Sequence, residues 1–243
     1  MPTLILTPRY TEDAQQLWRT ASQLGWGVER LVNWRVPEEL RSVSEPVLYL
    51  EGLMAPDIAE AFGLKLLDPA VDWLPRLPEE YRKRKVKLIP LKEAKSSGEA
   101  AFIKPPNDKV FPAGVYRGSE LPDWYGEDSP VLVAEVVHWE KEFRCFVLDR
   151  QVRAMSIYLR EGVLQKETAF VCSDAEATDA AQFAQMVLHD PRVDLPRATV
   201  LDIGVISGRG WAAVEQNSAW GSGIYGCDPA MVLEVLRHAV EPT

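Results

Sequence analysis

Residues 200–217 read VLDIGVISGRGWAAVEQN, two apolar runs on either side of Ser207-Gly208-Arg209-Gly210. Apolar and β-branched residues flanking a glycine-rich turn predict a β-hairpin. With Gly208 and Arg209 as a two-residue turn, Asp202 falls directly opposite Glu215. The two-residue period of a strand then puts Asn217 on the same face as Glu215. Two carboxylates facing each other across a strand pair repel, so folding alone disfavours the arrangement. A divalent cation between them removes the repulsion. Two carboxylates and an amide oxygen are hard ligands, suited to Mg²⁺ that keeps water and phosphate oxygens as well. The alternative is a solvated polar face of the hairpin, its pairing displaced by one residue.

Outward from this hairpin, the chain from residue 100 onward is mostly β. Ala101–Lys104 predicts a strand ended by Pro105-Pro106, and Val131–Val137 is an apolar run interrupted only by Glu135. Glu142–Leu148 and Val152–Tyr158 alternate around Asp149-Arg150, as a hairpin does. A helix is expected over Ala175–Leu188. Another follows Asp228 as N-cap and Pro229 at the first position, with Met231, Val232, Val235 and Leu236 as its apolar face. The first 70 residues instead alternate strand and helix. Strands are expected at Thr3–Leu6, Pro46–Leu50 and Leu64–Leu67. Between them lie a helix capped by Thr11 and ended by Gly25, with stripe Ala14, Leu17, Trp18, Ala21 and Leu24, and a second over Ala55–Phe62. That alternation predicts a small parallel α/β layer. Residues 69–99, punctuated by Pro69, Pro75, Pro78 and Pro90 and carrying Arg82-Lys83-Arg84-Lys85, read as a solvated connector. The same basic run is alternatively a wall beside an anionic ligand. Two domains follow, 1–92 and 93–243.

Composition narrows the function classes. Of 243 residues, 47% are hydrophobic and 26% charged, which excludes a disordered chain. The 36 acidic residues exceed the 27 basic ones, giving a net charge of −9. A nucleic-acid binder is normally basic, because its affinity comes from neutralising phosphates. No uncharged apolar run approaches the roughly 20 residues that span a bilayer, and the start, MPTLILTPRYTED, lacks the basic region of a signal peptide. Three scattered cysteines, Cys145, Cys172 and Cys227, without a CxxC pair, argue for a reducing cytoplasm and against a disulfide framework or structural zinc.

Three cations complete the inventory. Lys104 closes the strand AFIK, and Lys109 follows five residues later; a lysine at a strand end offers a compact positive charge to phosphate, or snorkels at a sheet rim. Arg144 lies in EFRCFV on one face with Glu142 and Phe146. An arginine in an apolar strand needs an anionic partner, and Glu142 is one candidate.

These features and their order resemble the ATP-grasp superfamily, and within it the small clade named for one arginine and two lysines. The resemblance rests on Phe102-Ile103-Lys104-Pro105 with Lys109-Val110-Phe111, on Val133–Val137 and on Glu142-Phe143-Arg144. It continues through Leu201–Gly204 and Val214–Asn217 to Gly223-Ile224-Tyr225. It covers roughly half the chain, and the strand-helix start resembles the preATP-grasp domain. It implies an α/β (α+β) ATP-grasp fold in which Lys104 and Lys109 contact ATP phosphates. The stretch Glu135, Val136 and Val137 would form the hinge that reads adenine through its backbone, and Glu142 would face the ribose or the metal. Arg144 would stabilise the transferring phosphoryl group, and Asp202, Glu215 and Asn217 would hold magnesium. The implied chemistry is ATP-dependent ligation of a carboxylate to an amine or similar nucleophile through an acyl phosphate, the substrates being a peptide, an amino acid or a protein terminus. Phosphoryl transfer needs positioning and charge neutralisation more than a covalent nucleophile, and the inventory suits it. The loop PPNDKVFPAG holds only Gly114, where many ATP-grasp enzymes carry a glycine-rich flap. The rival reading is a nucleotide-binding module without catalysis; a plain interaction domain built on Trp124, Trp139, Trp211 and Trp220 is a third.

Overall fold

The computed structural model describes residues 1–107 and 110–243. Its chain opens with β1 (Thr3–Leu6) and α1 (Glu12–Gln23), where the Thr11 hydroxyl accepts the Ala14 amide at 3.1 Å and Glu12 and Asp13 occupy the first turn. Ala14, Leu17 and Ala21 are buried, whereas Trp18 and Leu24 remain 38% and 51% exposed. The helix therefore turns a narrower stripe to the sheet than its apolar residues suggest. β2 (Gly27–Arg30) was hidden in the sequence, because GVER carries one aliphatic residue and forms an edge. With β3 (Pro46–Tyr49) it flanks β1 in a parallel sheet of order β2-β1-β3. α2 (Ala55–Ala61) and β4 (Leu64–Leu66) follow, and β4 pairs with the C-terminal strand rather than with this sheet.

The expected connector is structured. α3 (Trp73–Arg76), α4 (Glu79–Arg82), β5 (Val86–Pro90) and α5 (Leu91–Lys95) occupy it. Arg84, in the middle of the basic run, is only 8% exposed. β5 joins β6 (Ala101–Lys104), β7 (Gly114–Tyr116) and β8 (Pro130–Ala134) in an antiparallel sheet of order β5-β8-β6-β7.

The larger antiparallel sheet is built on β9 (Trp139–Leu148) and β10 (Gln151–Arg160), joined by Asp149 and Arg150, both left-handed (φ 49° and 63°), as a tight hairpin turn requires. β11 (Val163–Leu164) extends it at one edge; α6 (Asp174–His189) covers one face; β12 (Ala198–Ile206) and β13 (Gly210–Asn217) complete the order β11-β10-β9-β12-β13. Phe143, Cys145, Leu201 and Ile203 pack beneath α6 with Phe183 and Val187. The alternate residues Phe146 and Val200 join Leu4, Leu17 and Val47 of the N-terminal layer, together with Val232 and Leu236 of α7 (Pro229–Leu236). β14 (Val240–Pro242) then returns to β4. One core thus fastens the N-terminal layer to the β-sheet. No helix among the described residues is long and apolar enough to cross a membrane.

The β12–β13 turn differs from the expected one. Ile206 pairs with Gly210, so the loop holds three residues, Ser207–Arg209, rather than two. An extra residue, Val214, then bulges from β13, because Ile203 pairs with Ala213 and Asp202 with Glu215. Loop and bulge cancel, and the two carboxylates face each other as the sequence predicts. Arg84 stabilises the bulge by donating to the carbonyls of Ala213 (2.7 Å) and Val214 (2.8 Å).

Gly204 lies where β12 presses on β9. A Cβ there would sit 2.6 Å from the Lys141 carbonyl oxygen and 2.9 Å from the Trp139 ring. Gly204→Ala is expected to lower stability by about 1–3 kcal/mol, the cost of overpacking a rigid backbone contact. The check is a lower denaturant midpoint with an unchanged slope.

Candidate functional site

The register sets Arg144 of β9, Asp202 of β12 and Glu215 of β13 in one row across three strands. Arg144 donates from Nε to Asp202 Oδ1 at 2.9 Å and from Nη2 to Oδ2 at 2.7 Å, a two-pronged pair in which Asp202 is fully buried. Its Nη1 donates to the Gly223 carbonyl at 3.0 Å. The guanidinium lies 4.8 Å from the ring centre of Tyr225 and 5.3 Å from that of Tyr158, and those two rings stack at 5.0 Å. Glu142 is therefore not the partner of Arg144. It sits on the same face one pleat along and accepts the Tyr158 hydroxyl at 2.7 Å.

Repulsion between the two facing carboxylates is relieved by the protein's own groups, Arg144 on Asp202, an amide between the two and a lysine on Glu215. Asn217 Nδ2 bridges Asp202 (3.0 Å) and Glu215 (2.9 Å), and Lys104 reaches across from the end of β6 to ion-pair with Glu215. Lys104, Arg144, Glu142, Asp202, Glu215 and Asn217 thus converge where the two antiparallel sheets meet. Lys109 lies outside the described residues. Glu135, Val136 and Val137 lie on the segment that carries the chain from β8 to β9. The Glu135 carboxylate pairs with Arg209 at 2.5 Å and accepts the Lys85 amide at 3.3 Å, while Val136 is exposed.

Electrostatics follow from these contacts. Burial alone would lower the Arg144 pKa, but Asp202 outweighs it and holds the guanidinium charged above its ordinary range. Burial would raise Glu215, yet Lys104 and then Asn217 hold its carboxyl down at about 2. Glu142 behaves oppositely. Burial, with the nearby charges of Asp202 and Glu215, pushes it from 4.5 up to about 7, and the Tyr158 hydrogen bond only partly offsets this.

Several members of this site were not legible in the sequence. Asp13, which reads as an ordinary first-turn acid of α1, accepts the Ile224 amide at 3.0 Å, and Tyr49 at the end of β3 donates to the Ser222 carbonyl at 3.2 Å. Burial raises the Asp13 pKa despite that backbone hydrogen bond. Tyr225 adopts a left-handed backbone (φ 47°), which an aromatic residue accepts only under constraint. Residues Thr7 and Glu51, joined at 3.2 Å, follow the carboxyl ends of β1 and β3, the point where the parallel sheet's winding reverses and α/β proteins place ligands.

A family model described as an ATP-grasp domain, family 2 of the clade named for one arginine and two lysines, matches residues 81–235. This is more than half of the chain, and the chain belongs to that family. Among solved structures it is similar to a RimK domain protein ATP-grasp from Sphaerobacter thermophilus DSM 20745, with TM-score 0.58 and 12% identity over 98% of both chains. It is also similar to D-alanine–D-alanine ligase from Bacillus anthracis complexed with ATP, with TM-score 0.55 and 12% identity over 98% of this chain and 95% of that one. The ATP-grasp ligase PsnB complexed with minimal precursor gives TM-score 0.53 and 13% identity over 96% and 98%. At such identities the likeness is one of fold. No curated protein matches the sequence.

The Glu142 shift has a pH consequence. A folded-state pKa raised from 4.5 to about 7 means that the contribution of Glu142 to stability is full below pH 4.5 and is lost as pH rises through 7. Glu142→Gln stays neutral throughout. The fall in melting temperature of the parent between about pH 5 and 8 is therefore expected to flatten in the variant; parallel melting curves across that range would remove the assignment.

Proposed function

We propose that this chain, as an ATP-grasp domain of the arginine-and-two-lysine clade, is an ATP-dependent ligase that joins a carboxylate to an amine or related nucleophile through an acyl phosphate. The observation that carries this reading is the convergence of Arg144, Asp202, Glu215, Asn217 and Lys104 between two sheets. Among the described residues, three of the five N–H donors of Arg144 are engaged, by Asp202 and Gly223. The two that remain belong to its terminal nitrogens, and they supply a pair of donors for the oxygens of a phosphoryl group in transfer. Lys104 exchanges Glu215 for ATP phosphates, with Lys109 as the second lysine, and the backbone of Glu135–Val137 reads the adenine.

Glu215, which already holds a cation in Lys104, suits magnesium as a hard oxygen donor; Asn217 would join it by turning its amide oxygen in place of the N–H it now presents to both carboxylates, and Asp202 by giving up an oxygen now held by Arg144. When bound, the ion neutralises charge on the phosphates. Glu142, with a pKa pushed up to about 7 beside this set, shifts toward its ionised form when a cation approaches. The carboxylate and amine substrates are assigned to the carboxyl ends of β1 and β3, beside Thr7, Asp13, Glu51 and Ser222–Ile224. A peptide is a fitting substrate class, since the fold relative PsnB is found complexed with a precursor peptide. The three free cysteines suit a reducing cytoplasm.

Release of ADP that depends on an added carboxylate distinguishes a ligase from a nucleotide-binding module, and ADP release indifferent to every carboxylate and amine offered would remove the ligase reading. Lys104→Ala is expected to weaken magnesium–ATP binding by about 1–3 kcal/mol, the scale of one charge-assisted hydrogen bond, as read by calorimetry. Arg144→Lys keeps a positive charge but loses the fork on a buried carboxylate, so its melting temperature should fall. Its single-turnover rate per folded molecule should also drop by about 10² to 10³ with ATP affinity nearly unchanged. A lower melting temperature with an undiminished rate would make Arg144 purely structural.

A further inference from the structure

Arg30 closes β2 and turns its side chain toward the loop between β1 and α1. Its Nη1 donates to the carbonyls of Thr7 (3.0 Å) and Arg9, while Nε and Nη2 are buried without a hydrogen-bond partner among the described residues. These two atoms form the side edge of the guanidinium, the same edge with which Arg144 grips both oxygens of Asp202. A charged donor pair taken from water and left unpaired keeps its desolvation cost without compensation, and native structures satisfy such groups with a ligand, an ion or water. The acceptor that matches two parallel N–H groups is a carboxylate.

The surroundings form a place for one. A cleft of about 250 Å³ is lined by Tyr10, Gln15, Trp18, Arg19 and Arg30. Arg30 lies 4.3 Å from the Tyr10 ring centre and 5.2 Å from that of Trp18, so its charge is held by aromatic faces rather than by an acid. The lining holds two arginines and no carboxylate, in a chain of net charge −9. It uses the Gln15–Trp18–Arg19 side of α1, whereas Asp13, on another side of that helix, meets Ile224 in the site described above.

We propose that this cleft is a second binding site that takes a carboxylate, with Arg30 Nε and Nη2 as the fork and Arg19 as the supporting cation. Tyr10, 74% exposed on its loop, moves aside to admit it. The carboxylate is carried either by a small dicarboxylate or by an acidic residue of a peptide. The site stands independently of the ligase reading, because it binds without nucleotide.

Calorimetry on the full chain without nucleotide tests this, with glutarate, a blocked tri-glutamate peptide and inorganic phosphate as probes. Saturable binding of glutarate or of the peptide is expected, the tighter of the two identifying the source, with phosphate at least about tenfold weaker. Arg30→Met should weaken binding about tenfold or more, and Arg19→Gln, an exposed substitution that leaves the melting temperature unchanged, by about threefold. The proposal is overturned if neither carboxylate probe saturates the chain, or if phosphate binds as tightly as they do. It is equally overturned if Arg19→Gln and folded Arg30→Met bind like the parent; should Arg30→Met not fold, Arg19→Gln alone decides.

Discussion

The paired guanidinium and carboxylate of Arg144 and Asp202 constrain everything around them. Two opposite charges deep in a sheet face lose their hydration, and their attraction recovers that loss only when the remaining donors and acceptors are satisfied. The chain satisfies them from far away in sequence: Gly223 supplies a carbonyl, Asn217 an amide, and Tyr158 and Tyr225 two aromatic faces. The segment Ser222–Cys227 is bent to fit this role. Tyr225 takes a left-handed backbone, and a Cβ on Gly223 would approach the Asp13 carboxylate at 3.2 Å. The N-terminal layer is fixed to the same segment through Asp13 and Tyr49.

A second constraint links the two antiparallel sheets. Lys104 from one sheet pairs with Glu215 from the other, and Arg84, beside β5, donates to the bulge that sets Glu215 opposite Asp202. The Arg209–Glu135 pair ties the β12–β13 loop to the segment after β8. Each contact joins a rigid strand to its counterpart across the junction. Under the proposed function, that arrangement would place charged groups on both sides of a nucleotide, and the pairing residues would exchange partners with its phosphates. Unlike Arg144, Lys104 and Glu215 are only partly buried, so exchanging their partners leaves less uncompensated charge.

The sequence by itself determined many of the strands and helices and the facing carboxylates, but neither the edge strand β2 nor the elements within residues 69–99. Thr3–Leu6, the Thr11 cap, the Asp149-Arg150 hairpin, the Asp228 cap and the opposition of Asp202 to Glu215 all follow from local rules: periodicity, capping and turn chemistry act within a few residues. Even the error in the β12–β13 turn was harmless, because a loop one residue longer was matched by a bulge. What only the tertiary structure decided were the partners. Arg144 chose Asp202, 58 residues away, over Glu142, two residues away, because Asp202 is its direct cross-strand neighbour while Glu142 lies one pleat along the same strand. Arg84 looked like one charge in a solvated run and is buried on a bulge; Asp13 looked like a helix-dipole acid and meets Ile224, 211 residues on. Charge in a sequence carries no address. A buried charge takes whichever partner the packing of distant segments brings into contact, and that packing is a property of the whole chain.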